Sequence, residues 1–461
     1  MNRYFWVLIH RYVGLTMALF LIVAGLTGSI LAFYDELDDW LNPECSRGHT
    51  RIALQDKPLL NAFELCERAL MSVSHARITN IDLEVKPDEA YTVYLEPSIE
   101  PAIGQPYPLD FDTLKLNPYT GTEVARSKTF GGAPGEFQFP ITRKNILAFI
   151  YALHFNLALG ETGGLVFGVV ALAWTMDCFV GFYLTFPPRR KQSLSLIENA
   201  VKALSRGRGL GEGKLKGSFF IEPPHPNLLP QGRRSRTFWQ RWKSAWLIKW
   251  PASASRVNFD LHRASGLWVW IMLFIIAWSS VMFNLPQVYN PVMGVLFKHP
   301  PEHSQQTVLP VTRPVTPADF RKAHAIGKRL MAEQAKLHGF TVKREGWVQY
   351  VEDDWLFHYS VNSDRDVSGQ WAQTSISFDA STGKLAQLRP LPTGEYSGLT
   401  LQYWLWTLHM ARIWGLPYKL FVCFMGLVTT MLSVTGIYIW YKKHRAARLK
   451  RKMSKYQGIV T

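Results

Sequence analysis

The chain has 461 residues, of which 48% are hydrophobic and 19% are charged, and its net charge at pH 7 is +16. Such a charge often indicates a nucleic-acid partner, but here the basic residues are concentrated beside long apolar runs. Segment 187–258 contains 15 Lys and Arg and three Glu, and segment 442–461 contains eight basic residues and no acidic residue. This distribution favours a membrane protein that binds no nucleic acid, because cytoplasmic segments next to membrane helices are enriched in Lys and Arg.

Four near-continuous apolar runs occupy residues 6–33, 164–186, 264–285 and 418–441. Each run reaches the roughly 20 residues that a helix needs to cross the hydrocarbon core of a bilayer. The first run is too long for the apolar part of a signal peptide, and no small-residue cleavage site follows it, so we expect a retained helix. The positive-inside rule places both termini and the middle loop in the cytoplasm, and the other two loops outside.

The predicted fold is therefore a mainly α membrane protein with four transmembrane helices. A Gly-, Pro- and Arg-rich stretch at 205–237 is expected to be a poorly ordered insertion. The predicted segments are helix 1 (1–33), a first outward domain (34–144), an outer-edge helix with helix 2 (145–186), a basic cytoplasmic loop (187–258), helix 3 (259–285), a second outward domain (286–400), an outer-edge helix with helix 4 (401–441) and a basic cytoplasmic tail (442–461).

The sequence contains two similar halves in tandem. His10 and His262 each open the motif HRxxGL at the cytoplasmic edge of an apolar run. In the second and fourth runs, glycines follow His154 and His409 by the same 6 and 27 positions. Self-similarity of this kind indicates a repeated structural unit.

Each outward loop is predicted to form a small α+β domain. Residues 91–95 and 357–361 have the alternation of a strand. Segments 116–121 and 378–383 enter a turn through Asn or Asp followed by Thr-Gly, which is favourable turn chemistry. Residues 317–338 are predicted to form a helix that begins at its proline.

The four cysteines argue against several metal sites. Cys45 and Cys66 share the first outward loop and are able to form a disulfide in an oxidising compartment. Cys178 and Cys423 lie in apolar runs, where they are expected to pack as small hydrophobic side chains. The absence of CxxC and CxxCH motifs argues against zinc ribbons, iron–sulfur clusters and covalently attached haem.

Four histidines occupy equivalent places beside or within the apolar helices, namely His10, His154, His262 and His409. A lone histidine at a membrane edge is more often an interfacial residue, but four at repeat-equivalent positions suggest ligands. The helix directions pair His10 with His262 at the cytoplasmic edge and His154 with His409 at the outer edge. Because neutral imidazole binds iron well, we predict two non-covalent, bis-histidine haem b groups that carry electrons across the membrane.

Arginines follow both inner histidines. Arg11 and Arg263 are able to pair with haem propionates, but they are equally well explained as positive-inside anchors. Arg412, three residues after His409, is a weaker outer analogue, because the first half has Leu157 at the corresponding position.

Other functions have less support in the sequence. No hydrolytic motif, P-loop or dinucleotide fingerprint occurs, so electrons must arrive from a cytoplasmic or quinol donor. A permease is one alternative, although we expect no broken helix at the midplane and few internal charges, with Asp177 the exception. The other alternative is a non-catalytic regulator whose outward domains bind envelope partners.

Taken together, these motifs resemble the PepSY-associated transmembrane helix family of bacterial iron-regulated inner-membrane proteins. The likeness covers nearly the whole chain except the 205–237 insertion. It implies a multi-pass inner-membrane protein with periplasmic PepSY-like domains and, as in the FoxB-type ferrisiderophore reductases, a di-haem core that reduces a ferric siderophore or another periplasmic acceptor. The motifs that carry it are Leu8–Leu15 (LIHRYVGL), Leu153-His154 with Gly160–Gly163 (GETG), Asp260–Arg263 (DLHR) with Gly266-Leu267, Leu408-His409 with Gly415–Pro417 (GLP), and the Thr120-Gly121 and Thr382-Gly383 turns.

Overall fold

The structure is a computed structural model that describes residues 3–42, 50–100, 102–127, 139–188, 237–301, 315–352, 355–369, 371–379 and 381–457. Nearly all of the predicted 205–237 insertion lies outside the described residues. Cys45 does so as well, and its pairing with Cys66 stays a prediction.

Helices dominate the chain, and they carry both the candidate membrane spans and several shorter connecting segments. The described α-helices are α1 (Arg3–Leu31), α2 (Tyr34–Leu41), α3 (Ala62–Ser72), α4 (Ile146–Asn156), α5 (Gly160–Thr185), α6 (Phe238–Trp242), α7 (Ala254–Trp268), α8 (Trp270–Asn284), α9 (Pro286–Leu296), α10 (Pro317–His338), α11 (Ser397–His409) and α12 (Leu416–Gln457).

Three described helices are long and apolar enough to cross a membrane: α1, α5 and the Leu416–Leu449 part of α12. The fourth candidate is the pair α7 and α8, which is bent by 70° and counts as a span only if the two are taken together. The prediction that no run is broken is therefore wrong for the third run. Val269 leaves the helical conformation, with φ −109° and ψ 13°. Val269 is neither proline nor glycine, but Ser265-Gly266, a pair of the kind that often accompanies helix kinks, lies within the preceding turn.

The two halves pack against each other through small residues. Helix α1 crosses α12 so closely that a Cβ on Gly25 would lie 2.5 Å from the Gly426 carbonyl oxygen. At the corresponding crossing of α8 and α5, buried Ala277 and Ala171 occupy the matching positions. Small side chains let membrane helices approach without voids, and the repeat uses them on both sides of the bundle. We call the end of the bundle that carries His10 the His10 end, and the opposite end the His154 end.

Both loops that leave the His154 end contain strands. The described strands are β1 (Ala76–Arg77), β2 (Asn80–Asp82), β3 (Tyr91–Tyr94), β4 (Glu96–Pro97), β5 (Thr113–Leu116), β6 (Glu123–Ser127), β7 (Val342–Val351), β8 (Leu356–Ser363), β9 (Thr374–Asp379) and β10 (Lys384–Leu388). They form an antiparallel pair β1-β4, a three-stranded sheet β3-β5-β6 and a five-stranded sheet β10-β9-β8-β7-β2.

The five-stranded sheet joins the two loops. Strand β2 of the first loop pairs antiparallel with β7 of the second, with Ile81 opposite Val348. Both side chains are almost fully buried and belong to one hydrophobic core, which also contains Leu114 from the first loop and Phe378 from the second. The loops were predicted as one α+β domain each; in the structure they share a sheet and a core.

Local features of both loops match the prediction closely. Helix α10 spans Pro317–His338, and a capping box between Thr316 and Asp319 stabilises its start. The two predicted turns are also formed. Gly121 and Gly383 have φ of +66° and +68°, a left-handed conformation that glycine adopts readily, and their amides donate to the carbonyls of Asn117 and Asp379.

Candidate functional site

The structure brings His10 of α1 and His262 of α7 together at the His10 end. Their ring centroids are 6.1 Å apart and their planes are inclined by 62°. His10 Nδ1 lies 2.9 Å from the Asp177 carboxylate on α5. His262 Nδ1 lies 3.0 Å from the Leu432 carbonyl oxygen and 2.9 Å from Thr435 Oγ1, both on α12.

The same arrangement recurs at the other end of the bundle. His154 of α4 and His409 of α11 have ring centroids 6.2 Å apart and an interplanar angle of 60°. His154 Nδ1 lies 3.0 Å from Thr27 Oγ1 on α1, and His409 Nδ1 lies 2.7 Å from Ser279 Oγ on α8. The histidines therefore face each other in the predicted pairs, and each pair takes one residue from each half of the chain.

The hydroxyl partners of the rings each have a backbone carbonyl of their own helix to which they donate. Thr27 Oγ1 donates to the Val23 carbonyl, Ser279 Oγ to Ile276 and Thr435 Oγ1 to Met431. A hydroxyl has one proton, so with that proton on the backbone carbonyl each of these oxygens accepts from the imidazole.

The carboxylate of Asp177 and the Leu432 carbonyl are acceptors as well, so every Nδ1 faces an oxygen that is able to accept its proton. A neutral imidazole that donates from Nδ1 presents its Nε2 lone pair, which is the arrangement of a metal-ligating histidine held by an outer hydrogen bond.

The ring spacing suits one metal ion between each pair. Bonds from an imidazole nitrogen to a first-row metal such as zinc are about 2 Å long, which places two rings on opposite sides of one ion with centroids about 6 Å apart. Within the described ranges, no group of three or more His, Cys, Asp or Glu is able to hold a metal ion. Two nitrogens alone do not complete a coordination shell, so the pairs fit a metal that arrives with its remaining ligands, as in a porphyrin.

Glycines keep the space beside the rings clear. A Cβ on Gly181 would lie 3.4 Å from His10 Cε1, and one on Gly436 would lie 3.4 Å from His262 Cε1. These two glycines follow His154 and His409 at the matched spacing of the repeat, which thus places one beside each ring of the His10 end. A Cβ on Gly28 would lie 2.9 Å from His154 Cε1, a closer approach than side chains normally tolerate.

The two pairs lie at different depths of the bundle. His10 and Thr27, the partner of His154, both belong to the continuous helix α1. With a rise of about 1.5 Å per residue, the two levels are about 25 Å apart along that helix. This is comparable to the roughly 30 Å thickness of a bilayer's hydrocarbon core, so one pair lies near each face of a spanning bundle.

Strained backbone follows both histidines of the His154 end. Six described residues other than glycine have positive φ, and four of them lie in these two turns: Leu157, Ala158, Ala411 and Trp414. Such conformations cost energy and persist only where surrounding packing enforces them, commonly at functional sites. They end the short helices α4 and α11 and turn the chain into the long helices α5 and α12.

The arginines proposed as propionate partners differ in their surroundings. Arg263 donates to the Asp260 carboxylate at 2.9 Å and to the Ser244 carbonyl at 2.6 Å, so part of its hydrogen-bonding capacity is used within the protein. Arg11 is half-buried. Arg412 donates to Asp35 of α2 at 2.9 Å and lies over the Trp371 ring, which ties the second loop to the His154 end.

The sequence analysis missed the residues that support the ligands. Thr27 follows His10 at the same spacing at which Ser279 follows His262. This match between the halves could have identified the two hydroxyl residues as equivalent parts of the site. Asp177 was noted as an internal charge, but its contact with His10 was not foreseen.

Two regions of the chain, residues 7–211 and 234–443, match the model of one family, described as the PepSY-associated TM region. The chain belongs to this family. No curated protein matches it. The first matched region contains His10 and His154, and the second contains His262 and His409. In this PepSY-associated TM region protein, each matched region therefore supplies one histidine to each pair, and neither half completes a pair alone.

Proposed function

We propose that this protein is a di-haem transmembrane oxidoreductase, with His10 and His262 as axial ligands of one haem b and His154 and His409 as ligands of the other. The observation that carries the proposal is that two imidazoles face each other at each of two levels of the bundle, each with its Nδ1 against an oxygen of a neighbouring helix. A bis-histidine haem supplies one-electron transfer at its iron. The helices contribute ligation, burial and a fixed depth for each site.

The orientation of the two sites in the membrane is inferred from the distribution of charge. The basic segments adjoin the His10 end, which we place in the cytoplasm of a bacterial inner membrane. The two loops at the His154 end then lie in the periplasm as a PepSY-like body. A cytoplasmic or quinol donor would give up electrons at the His10 end, and a periplasmic acceptor would take them at the His154 end.

We propose a ferric siderophore as the acceptor. One electron from the donor reduces the bound Fe(III) to Fe(II), and the hard oxygen ligands of a siderophore hold the less charged ion less firmly. The iron is then released on the periplasmic side. Near His409, the second loop approaches the bundle through the edge-to-face contact of Trp371 and Trp406, whose ring centroids are 5.5 Å apart. An acceptor that reaches the His154 end would meet this junction.

A permease remains the second candidate, because the third span is bent at Val269, between the levels of the two histidine pairs. Broken helices near the midplane form the ion and substrate sites of many transporters. Two observations favour the oxidoreductase. Asp177, an internal charge of the kind that transporters use, is bonded to His10. The bend also keeps helical hydrogen bonds on both sides, from the Val269 amide to Ser265 and from Leu273 to Val269.

Visible spectroscopy of the purified protein separates the two candidates. The oxidoreductase should show reducible low-spin haem bands and bind haem at a ratio of about two, as expected for two bis-histidine sites. Proteoliposomes with a ferrous-iron trap on the periplasmic side should then show reduction that depends on both pairs. A protein purified with haem available that shows no haem bands would refute the proposal, and siderophore uptake without iron reduction would support the permease.

A further inference from the structure

Asp177 breaks the symmetry between the two halves. Its side chain is only 6% exposed, and both carboxylate oxygens lie 2.9 Å from His10 Nδ1. In the repeat, Asp177 lies 23 positions after His154, and the residue 23 positions after His409 is Leu432. Leu432 offers His262 only its backbone carbonyl. The structure describes all four imidazoles. His10 is the one among them that bonds to a carboxylate, and the other three bond to neutral oxygens.

A carboxylate changes the properties of the ligand that it holds. It fixes the ring orientation and tautomer, and it raises the basicity of the nitrogen that faces the metal. A more basic ligand stabilises the more positive ferric iron over ferrous iron, and hydrogen bonding around an axial ligand is a recognised means of setting a haem's potential. The effect is large when the carboxylate is shielded from water, because a low local dielectric preserves its field.

We infer that Asp177 is a positioning residue that lowers the reduction potential of the His10/His262 site below that of the His154/His409 site. The inference rests on the proposed di-haem function. It makes transfer toward the His154 end favourable, because an electron moves spontaneously to the site of higher potential. The two halves thus supply similar ligands, and the single carboxylate gives the pathway its direction.

The test is Asp177→Asn, which keeps the shape and an accepting oxygen but removes the charge. In a redox titration followed by visible spectroscopy, we expect the potential of the His10/His262 haem to shift upward while the other stays unchanged. Asp177→Glu, which keeps the charge, should leave both potentials near those of the parent. Asp260→Asn is the matched control. This acid is also fully buried near the His10 end, but it bonds Arg256 and Arg263 and touches no imidazole. It therefore reports the through-space effect of a lost charge, and its shift of the His10/His262 potential should be smaller than that of Asp177→Asn.

A second measurement keeps the inference testable if Asp177→Asn loses its haem. His154→Ala retains only the His10/His262 haem, and His262→Ala retains only the other, so the two potentials of the parent can be assigned. Assignment of the higher potential to the His10/His262 haem would overturn the inference, as would unchanged potentials in an Asp177→Asn protein with both haems. A parent protein without haem would instead refute the proposed function itself.

Discussion

Gly28→Ala should disturb the His154/His409 site without removing a ligand. The new Cβ would lie 2.9 Å from His154 Cε1, whereas carbon atoms in contact prefer about 3.5–4.0 Å, so the ring must move by about 0.6 Å or more. That movement also strains the 3.0 Å bond between His154 and Thr27. Disturbing the support of a metal ligand typically lowers affinity roughly 10–100-fold, and we expect a loss of this order at this site.

The assay is the haem content of the purified protein, by difference spectroscopy after dilution and washing. Gly181→Ala is the matched control, because its Cβ would meet His10 Cε1 at 3.4 Å and a shift of about 0.1 Å restores ordinary contact. The parent and Gly181→Ala should retain both haems, and Gly28→Ala should lose the one at the His154 end. Equal retention by the two variants, with equal expression, would refute the reasoning about ring placement.

Three further predictions follow from the pairs and the shared core. His10→Ala and His262→Ala should each lower the number of haems per protein from about two to about one. The double variant should lose little more, because both residues act on one site. A variant that still binds about two haems would exclude its histidine as an essential ligand. Ile81→Ala should lower the free energy of unfolding of the shared core by about 2–5 kcal/mol. Amide hydrogen exchange should then become faster in β7 and β8 of the second loop. Faster exchange confined to the first loop would contradict a common core. Burial raises the pKa of the Cys66 thiol to about 12, so the thiolate forms only well above neutral pH. In protein kept reduced, an alkylating reagent at pH 8 should therefore label Cys66 only after unfolding. Rapid labelling of the folded, reduced protein would show that the thiol is accessible.

Much of the architecture could be predicted from local sequence patterns. Long apolar runs set the spans, because a helix in lipid needs about 20 apolar residues whatever surrounds it. The Asn117 and Asp379 turns and the α10 helix were equally readable, since turn and cap chemistry acts over a few residues. The histidine pairs were predicted from the repeat and the helix directions, and the family match is consistent with that repeat.

Tertiary structure decided the features that join distant segments. Strand β2 of the first loop pairs with β7 of the second, although two candidate spans separate them along the chain, and no property of Asn80–Asp82 alone predicts that partner. The bend at Val269 has only a weak signal in the sequence, namely the Ser265-Gly266 pair in the preceding turn. Directly after the bend, the Trp270 indole donates a 2.8 Å hydrogen bond to the Cys178 carbonyl on α5, a contact that only the packing of the helices reveals.

The clearest division lies at the ligands themselves. The sequence determined which histidines face each other, because repeat spacing and helix direction fix the level of each one in the membrane. Only the folded bundle decided what holds each ring. Serine and threonine in a helix commonly donate to their own backbone, so their presence does not reveal which of them also accepts from an imidazole on another helix. The contact of Asp177 with His10, which sets the two halves apart, exists only because α1 and α5 pack side by side.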